Sequence, residues 1–217
     1  MRIVSVNVGL PRQVDWAGKA VATAIYKQPV EGSVRLRRLN LAGDSQADLG
    51  AHGGPRKAVY AFPSENYGFW RDQLPGVDLG WGAFGENLTT EGWDEEAVAL
   101  GDRFRIRSAI VQVTQPRIPC YKLGIRLGRD DAVARFLATG RTGFYMAVLE
   151  EGELQAGDQL ELVGTEMDRL AVADVARLYA AAISDRNLLQ RAAEMTLLPA
   201  SWRRRFAARL AGHSPAH

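Results

Sequence analysis

The stretch Gly101-Asp102-Arg103-Phe104-Arg105-Ile106 has an echo later in the chain, Gly157-Asp158-Gln159-Leu160-Glu161-Leu162. Each stretch begins with a Gly-Asp pair typical of a turn and continues with residues that alternate between apolar and polar. Alternation with a period of two is the pattern of a strand that buries one face. The pair of stretches therefore predicts a fold built from short strands joined by tight turns.

Short strands are predicted along most of the chain up to residue 163. They cover residues 3–8, 34–41, 58–62, 103–107, 110–114 and 144–149. The alternation in 34–41 slips near Arg37, which indicates a bulge or a bend. Many short strands separated by turn residues predict a mainly β fold of the barrel or sandwich type.

Helices are predicted in two parts of the chain. Within the β region, residues 64–74 follow a proline and stop before Pro75-Gly76, and residues 131–139 run from an acidic cap to Gly140. After residue 165 the strand pattern ends and three helices are predicted. The first carries Val172, Val175, Tyr179 and Ile183 on one face, the second runs from a cap at Asp185 to Met195, and the third is capped by Ser201. We therefore divide the chain into a β domain, residues 1–165, and a helical unit, residues 166–217.

The bulk composition is that of an ordinary globular protein of 217 residues, with 47% hydrophobic and 24% charged residues. The net charge of +2 does not call for nucleic acid or membrane as a partner. Four arginines of the last predicted helix, Arg203, Arg204, Arg205 and Arg209, are explained by a solvated face, since no aromatic stacking pattern accompanies them. One cysteine, no signal peptide and no long apolar run predict a cytoplasmic protein without a membrane span.

That one cysteine, Cys120, lies in Gln115-Pro116-Arg117-Ile118-Pro119-Cys120-Tyr121-Lys122. Neighbouring cations such as Arg117 and Lys122 favour the thiolate, which is both a nucleophile and a soft metal ligand. The simpler interpretation is a small buried hydrophobe, because free cysteine is among the most buried residue types. The segment alone leaves both interpretations open.

A second segment, Asp48-Leu49-Gly50-Ala51-His52-Gly53-Gly54-Pro55-Arg56-Lys57, contains the one histidine that lies outside the C-terminal tail. Its glycines allow the backbone to approach a ligand closely, and exposed amides beside Arg56 and Lys57 suit an anion such as phosphate. A hairpin turn with His52 at its tip is the simpler interpretation. A nucleophile–base pair of Cys120 and His52 also stays open, because it depends on proximity that a sequence does not give.

The third segment, Gly82-Ala83-Phe84-Gly85-Glu86-Asn87-Leu88-Thr89-Thr90-Glu91-Gly92, offers Asn87 and Thr89 as polar contacts for a ligand, although a loop leading into a strand explains it as well. Two standard sites are not favoured. Outside the C-terminal tail the chain has one Cys and one His, too few for a structural zinc site. Gly43-Asp44-Ser45-Gln46-Ala47 misses the last glycine of a hydrolase nucleophile elbow.

Taken in order, these segments resemble the MOSC domain family, the C-terminal domain of molybdenum cofactor sulfurases, and in particular its YiiM-like branch. The resemblance is carried by His52-Gly53-Gly54-Pro55 with Lys57-Ala58-Val59-Tyr60, by Phe84-Gly85-Glu86-Asn87-Leu88, and by Gln115-Pro116-Arg117 with Pro119-Cys120. The helical tail resembles the three-helix extension of that branch. The resemblance implies a strand-rich barrel and, for the branch, reduction of N-hydroxylated bases such as 6-hydroxylaminopurine.

The resemblance also implies a cofactor and roles for the motif residues. Cys120 would be the thiolate ligand of molybdenum in the molybdenum cofactor. The other cofactor-binding residues implied are His52, Arg56, Lys57 and Arg117 for the phosphate and pterin, and Asn87 and Thr89 for further polar contacts. No pyridoxal phosphate is implied.

The partners implied are a small N-hydroxylated substrate and a separate electron-donor protein. The chain has no cysteine quartet for an iron–sulfur cluster and no nicotinamide-binding fingerprint, so the electrons must come from elsewhere. Two alternative functions stay open: a sulfur carrier with Cys120 as persulfide acceptor, and a binding module that docks through the basic last helix. Pairing of the chain with itself as a homodimer also stays open.

Overall fold

The fold is built around strands, and the computed structural model describes residues 1–48, 50 and 53–212. The strands are β1 (Arg2–Val8), β2 (Arg12–Trp16), β3 (Lys19–Thr23), β4 (Gln28–Pro29), β5 (Val34–Leu36), β6 (Val59–Pro63), β7 (Leu88–Glu91), β8 (Arg103–Ile106), β9 (Ala109–Pro116), β10 (Phe144–Glu150), β11 (Gly152–Leu154) and β12 (Glu161–Gly164). Eight of them form one sheet in the order β12-β8-β9-β10-β6-β7-β1-β4, while β5 pairs with β11 and β2 with β3.

The large sheet curls towards a barrel. All its neighbouring strands are antiparallel except β6 and β7, which run parallel. The segment that leads into β12 meets the start of β1, where the backbone N–H of Ile3 donates to Asp158 O (2.9 Å) and that of Leu160 to Met1 O (2.7 Å). These bonds bring the two ends of the sheet together. The predicted mainly β, barrel-like fold is confirmed.

The two echoed stretches contain neighbouring strands. β8 and β12 pair antiparallel, with Phe104 opposite Leu162, and Phe104 lies in the buried core. The predicted strand over 34–41 is wrong in its second half. β5 ends at Leu36, the N–H of Arg37 donates to Asn40 O (2.8 Å), and Leu41 returns to form an isolated bridge with Leu36. The slip near Arg37 therefore marks a tight turn.

Six helices complete the described part of the chain. They are α1 (Glu65–Gln73), α2 (Tyr121–Leu127), α3 (Ala132–Thr139), α4 (Val172–Tyr179), α5 (Arg186–Glu194) and α6 (Ala200–Leu210). The two helices predicted within the β region are confirmed as α1 and α3. The sequence patterns did not predict α2, nor the β2–β3 hairpin, in which most side chains are exposed and the alternation is weak.

The C-terminal helices agree with the prediction except at two ends. Asp185 caps α5 as predicted, because its Oδ1 accepts from the backbone N–H of Leu188 (2.8 Å). The first helix is shorter than predicted and leaves Ile183 outside it. The cap at Ser201 is wrong: the N-cap lies two residues earlier, at Pro199, and α6 begins at Ala200. A proline fits there because the first helical positions need no N–H donor.

The helical unit shares its core with the sheet. Val172, Val175 and Leu178 of α4 belong to the same buried cluster as Phe104 of β8 and Val111 of β9. Backbone hydrogen bonds pin the junction on both sides, from Leu100 N to Leu170 O and from Val172 N to Val98 O (each 2.9 Å). The division at residue 165 stays a prediction. In the described ranges, no helix is long and apolar enough to cross a membrane.

Candidate active site

A cleft with about 620 Å³ of empty space, part of it open to solvent, lies beside the ends of the central strands. Four of the predicted site residues line it: Cys120, Lys57, Asn87 and Arg117. The opposite wall comes from residues 23–27, which follow the β2–β3 hairpin, and from the loop 44–48. Segments that are distant in the sequence therefore meet around the cysteine.

Cys120 sits where β9 gives way to α2. Its backbone is extended (φ −119°, ψ 172°), it occupies the N-cap of α2, and its carbonyl accepts from the N–H of Leu123 (2.9 Å). Pro119 immediately before it restricts the chain, since the residue ahead of a proline avoids helical backbone angles and proline itself has a fixed φ. The side chain is half-buried at the cleft, which is compatible with either a ligand or a nucleophile.

Arg117 is a buried cation at the same cleft. Its side chain is 5% exposed, and its backbone N–H is held by Gly143 O (3.0 Å). The guanidinium carbon lies 5.3 Å from the ring centre of Tyr60, and Nη1 is buried with no hydrogen-bond partner among the described residues. Burial is the largest influence and lowers the pKa of Arg117, but Tyr60, Tyr145 and Cys120 together raise it above the usual value. Arg117 therefore stays charged, with one donor unmet.

Lysine is scarce in this chain and concentrated here. The sequence has four lysines, and three of them, Lys27, Lys57 and Lys122, line the cleft. Lys57 ends the short 3-10 turn Pro55–Lys57, and its Nζ lies 6.0 Å from the ring centre of Tyr145. Burial lowers the pKa of Lys57. With Arg117, these lysines make the cleft a place where positive charge converges from separate segments.

A buried network of hydrogen-bonded polar side chains forms one wall of the cleft. Lys27 Nζ donates to Asp44 Oδ1, and the two side chains are only 8% and 1% exposed. Asp44 Oδ2 accepts from Asn87 Nδ2 (2.9 Å), and Asn87 Oδ1 accepts from the backbone N–H of Tyr60 (3.1 Å). Burial lowers the pKa of Lys27, although Asp44 opposes that effect. Asn87 is thus a structural link as well as a cleft residue.

The Gly82–Asn87 loop is held by a buried carboxylate. Glu86 Oε1 accepts from the Tyr67 hydroxyl (2.5 Å) and Gly82 N (2.8 Å), and Oε2 accepts from Phe84 N (3.1 Å). Gly85 lines the cleft with φ +82°, and a Cβ there would lie 2.7 Å from Ile25 Cγ1. This motif therefore needs its glycine because the loop packs against the 23–27 wall.

Two of the predicted site residues, Thr89 and Arg56, are not brought to the cleft lining, and a third falls outside the described residues. Thr89 is buried in the loop network, where its Oγ1 donates to Glu86 Oε1 (2.9 Å). Arg56 has Nε and Nη2 buried without hydrogen-bond partners in the part of the chain that the structure describes. Its pKa is lowered first by burial and then by the charge of Arg203 on α6. His52 lies outside the described residues. The cofactor roles of these three stay predictions.

Sequence reasoning missed Lys27, Asp44 and Tyr145. One feature of the sequence could have pointed to Lys27. The chain has four lysines against twenty-three arginines, so each lysine is unusual. In the part of the chain that the structure describes, no three or more His, Cys, Asp or Glu side chains are grouped to hold a metal ion. A metal here would have to bring most of its ligands with it.

The family model described as the MOSC domain matches residues 48–161, more than half of the chain and all the elements from the loop before β6 to the start of β12. This chain belongs to the MOSC domain family. The crystal structure of YiiM from Geobacillus stearothermophilus is similar over 96% of this chain and 98% of its own, at 35% identity and a TM-score of 0.79. That match covers the C-terminal helices too, so membership of the YiiM-like branch is confirmed.

Two curated relatives add to this MOSC assignment. The Bacillus subtilis protein YflK is 42% identical over 204 residues, which are 94% of this chain and 92% of YflK. A Gibberella moniliformis protein named "Reductase" is 36% identical over 185 residues, which are 84% of this chain but 32% of that longer protein. The match thus places a MOSC-like segment inside a protein named for reduction.

Proposed function

We propose that this MOSC protein is a molybdenum-cofactor-dependent reductase of N-hydroxylated compounds, with Cys120 as the protein's thiolate ligand of the metal. The observation that carries the proposal is the meeting of Cys120 with Lys57, Arg117 and Lys122 in one cleft. A thiolate is a soft ligand suited to such a metal, and the surrounding cations suit the anionic phosphate of the cofactor. A relative named "Reductase" supports the reaction class.

One feature of the cleft, an unmet hydrogen-bond donor, fits the anionic part of this cofactor. Arg117 Nη1 is a buried, charged donor with no partner among the described residues, and such a group is costly unless a ligand meets it. An oxyanion in the cleft would supply the acceptor. Lys57 and Lys122, which lie far apart in the sequence, would add positive charge to the cleft. The cofactor does not require a cluster of metal-ligating side chains in the protein.

The molybdenum centre, when bound, supplies the two electrons that cleave the N–O bond. The chain's own residues bind and orient. Arg117 and Lys57 hold the anionic part of the cofactor, while Asn87 and Asp44 keep the opposite wall fixed around the substrate. The electrons originate from a separate reducing protein, since one cysteine cannot ligate an iron–sulfur cluster.

The test is elemental analysis of protein purified from cells that make the cofactor. Wild-type protein is expected to carry molybdenum near one equivalent, and Cys120→Ala to carry far less. Arg117→Met should weaken cofactor affinity about tenfold or more, the cost of a charged hydrogen bond of about 1.5–3 kcal/mol, and so lower the molybdenum content. Arg204→Ala, at an exposed position of α6, is the matched control and should keep wild-type molybdenum.

Two outcomes would contradict the proposal. Equal molybdenum in wild type and Cys120→Ala would remove the cysteine as ligand. A reducible gain of one sulfur on Cys120 after incubation with a cysteine desulfurase, with no reduction of 6-hydroxylaminopurine by molybdenum-loaded protein given an artificial electron donor, would favour the sulfur carrier.

A further inference from the structure

The ion pair of Lys27 and Asp44 is unusual in its position. Both side chains are almost fully buried, yet both line the cleft that contains Cys120. A buried ion pair generally contributes little to stability, because the cost of desolvation offsets most of the attraction. Apolar residues can often replace such a pair without loss of stability. Its placement at the cleft points to a chemical use.

The surroundings of Lys27 fix its geometry. Asp44 Oδ1 accepts from Lys27 Nζ and from the N–H of Gly9 (2.9 Å), and Asp44 Oδ2 is held by Asn87 Nδ2 (2.9 Å). Asp44 therefore cannot turn away without breaking two other bonds. Behind the pair, a Cβ on Gly82 would lie 2.9 Å from the carbonyl oxygen of Lys27, so the backbone of Lys27 is closely packed as well.

The proposed reaction needs protons as well as electrons. Reduction of R–NH–OH to R–NH2 and water consumes two electrons and two protons, and the departing oxygen must take up one of these protons. We infer that Lys27 is the acid that protonates the departing oxygen, with Asp44 as the positioning residue that aims its ammonium into the cleft. This inference rests on the proposed function.

In this step the N–O bond breaks, and the two electrons delivered from the reducing protein reduce the nitrogen. The oxygen leaves as water after it takes a proton from Lys27 Nζ. The nitrogen takes the other proton from solvent and becomes the amine. Lys27 is left as a neutral amine and regains its proton from water in the open part of the cleft. A lysine is suited to this cycle when burial lowers its pKa towards the working pH, and burial does lower the pKa of Lys27.

Other charges act on the same lysine. Asp44 and, more weakly, Glu86 raise its pKa against the effect of burial. Asp48 lies on the same wall as Lys27. Across the cleft stand Lys57, Arg117 and Lys122, together with the Cys120 thiol and the phenols of Tyr60 and Tyr145, and burial raises the pKa values of both phenols. Both tyrosines are therefore neutral at neutral pH, and Lys27 is a cleft acid with a fully buried carboxylate partner.

The first experiment measures reduction of 6-hydroxylaminopurine by molybdenum-loaded protein, with an artificial electron donor, across pH. Wild-type kcat/KM should fall on the alkaline side as Lys27 loses its proton. Asp44→Asn removes the charge that raises the pKa of Lys27, so this fall should move to lower pH. Lys27→Met should lower kcat about 100-fold or more, the usual contribution of a general acid, and should abolish that limb of the profile.

The second experiment needs no activity. Protein labelled with 13C and 15N in lysine contains only four lysine side chains, so Lys27 is assigned by its absence in Lys27→Arg. Its NMR titration without cofactor should have a midpoint below the ordinary lysine range, and a lower one still in Asp44→Asn. Lys19→Met, at an exposed position of the β2–β3 hairpin, is the control and should leave rate and profile unchanged.

These experiments distinguish failure of the proposed function from failure of the role of Lys27 alone. Wild-type protein that holds no molybdenum or reduces nothing overturns the proposed function and this role with it. Active wild-type protein alongside a folded, molybdenum-loaded Lys27→Met of equal kcat overturns this inference alone. So does a Lys27 that titrates in the ordinary range, or a Lys27→Met with the alkaline limb intact.

Discussion

The cleft and the C-terminal helices both carry clustered positive charge, but the two clusters are satisfied differently. On α6, Arg209 donates to the carbonyl oxygens of Leu178 and Ile183, and Arg205 lies over the ring of Tyr179 (4.6 Å to its centre), although Arg205 Nε has no hydrogen-bond partner among the described residues. In the cleft, Arg117 is more deeply buried and its Nη1 has no partner among the described residues. Because an unmet donor costs most where water is excluded, we expect an anion beside the fully buried cation rather than wherever cations are most numerous.

The comparison also separates what each region contributes to stability. The helical unit supplies apolar side chains to the common core, whereas the cleft wall is built from buried polar groups such as Glu86 and Asp44 that bond to one another. Changes in the helical unit should therefore alter folding first. Changes at the cleft should alter ligand binding as well as folding.

The largest expected effect comes from ending the chain at Thr165. That truncation removes Leu170, Val172, Val175 and Leu178 from the core, each worth about 1.5–3 kcal/mol when buried, against a total stability of about 5–15 kcal/mol. We expect no cooperative thermal unfolding transition by calorimetry. A truncated chain that melts cooperatively would show that the β region folds independently, as the predicted division at residue 165 requires.

A smaller loss is expected from Glu86→Ala. It leaves Gly82 N, Phe84 N and the Tyr67 hydroxyl without their buried acceptor, and each unmet group costs about 1–3 kcal/mol. Water entering the space will offset part of this, so we expect a loss of about 3 kcal/mol in urea unfolding.

The matched control for Glu86→Ala is Glu91→Ala. Glu91 pairs with Arg2 where both side chains are largely exposed, and an exposed pair is worth less than about 1 kcal/mol. Equal losses in the two variants would mean that burial of Glu86 does not distinguish the cleft loop from the surface.

Next in size is Arg209→Ala, expected to cost about 1–2 kcal/mol, since a partly exposed guanidinium loses two bonds to backbone carbonyls at the end of α4. Arg204→Ala on the same helix is exposed and should change the free energy of unfolding by less than about 0.5 kcal/mol. If both substitutions were neutral, the view that α6 uses its arginines for packing would be wrong.

The sequence predicted the regular parts of this molecule better than its contacts. Period-two alternation found β1, β6, β8, β9 and β10, and turn and cap residues found α1 and α3, because these signals are local. The β2–β3 hairpin was missed because its exposed side chains do not alternate strongly. The helix after Cys120 was missed because it is short, Tyr121–Leu127, and contains Gly124, so its sequence carries only a weak helix signal.

The site was predicted in part for the same reason. Cys120, Lys57, Asn87 and Arg117 lie in recognisable segments, and they do line the cleft. Lys27 and Asp44 lie in segments without a pattern, and their pairing depends on how the 23–27 wall meets the 44–48 loop. Arg56 was grouped with Lys57 because they are adjacent, but adjacent residues of a turn point in different directions, and Arg56 interacts with Arg203.

The smallest expected effect, and the sharpest test of the comparison, is Arg203→Met. Arg203 and Arg56 share a feature with Arg205 on the helical side, because each has a buried nitrogen without a hydrogen-bond partner among the described residues. The charges of Arg203 and Arg56 also repel each other. Removing one charge relieves the repulsion, while the methionine keeps much of the aliphatic packing. We expect a change in the free energy of unfolding within about 0.5 kcal/mol of zero, on the stabilising side. Molybdenum content should match wild type, whereas Arg117→Met should lose it. Loss of molybdenum in Arg203→Met with normal stability would instead place an anion site between Arg56 and α6, and the contrast between the two clusters would fail.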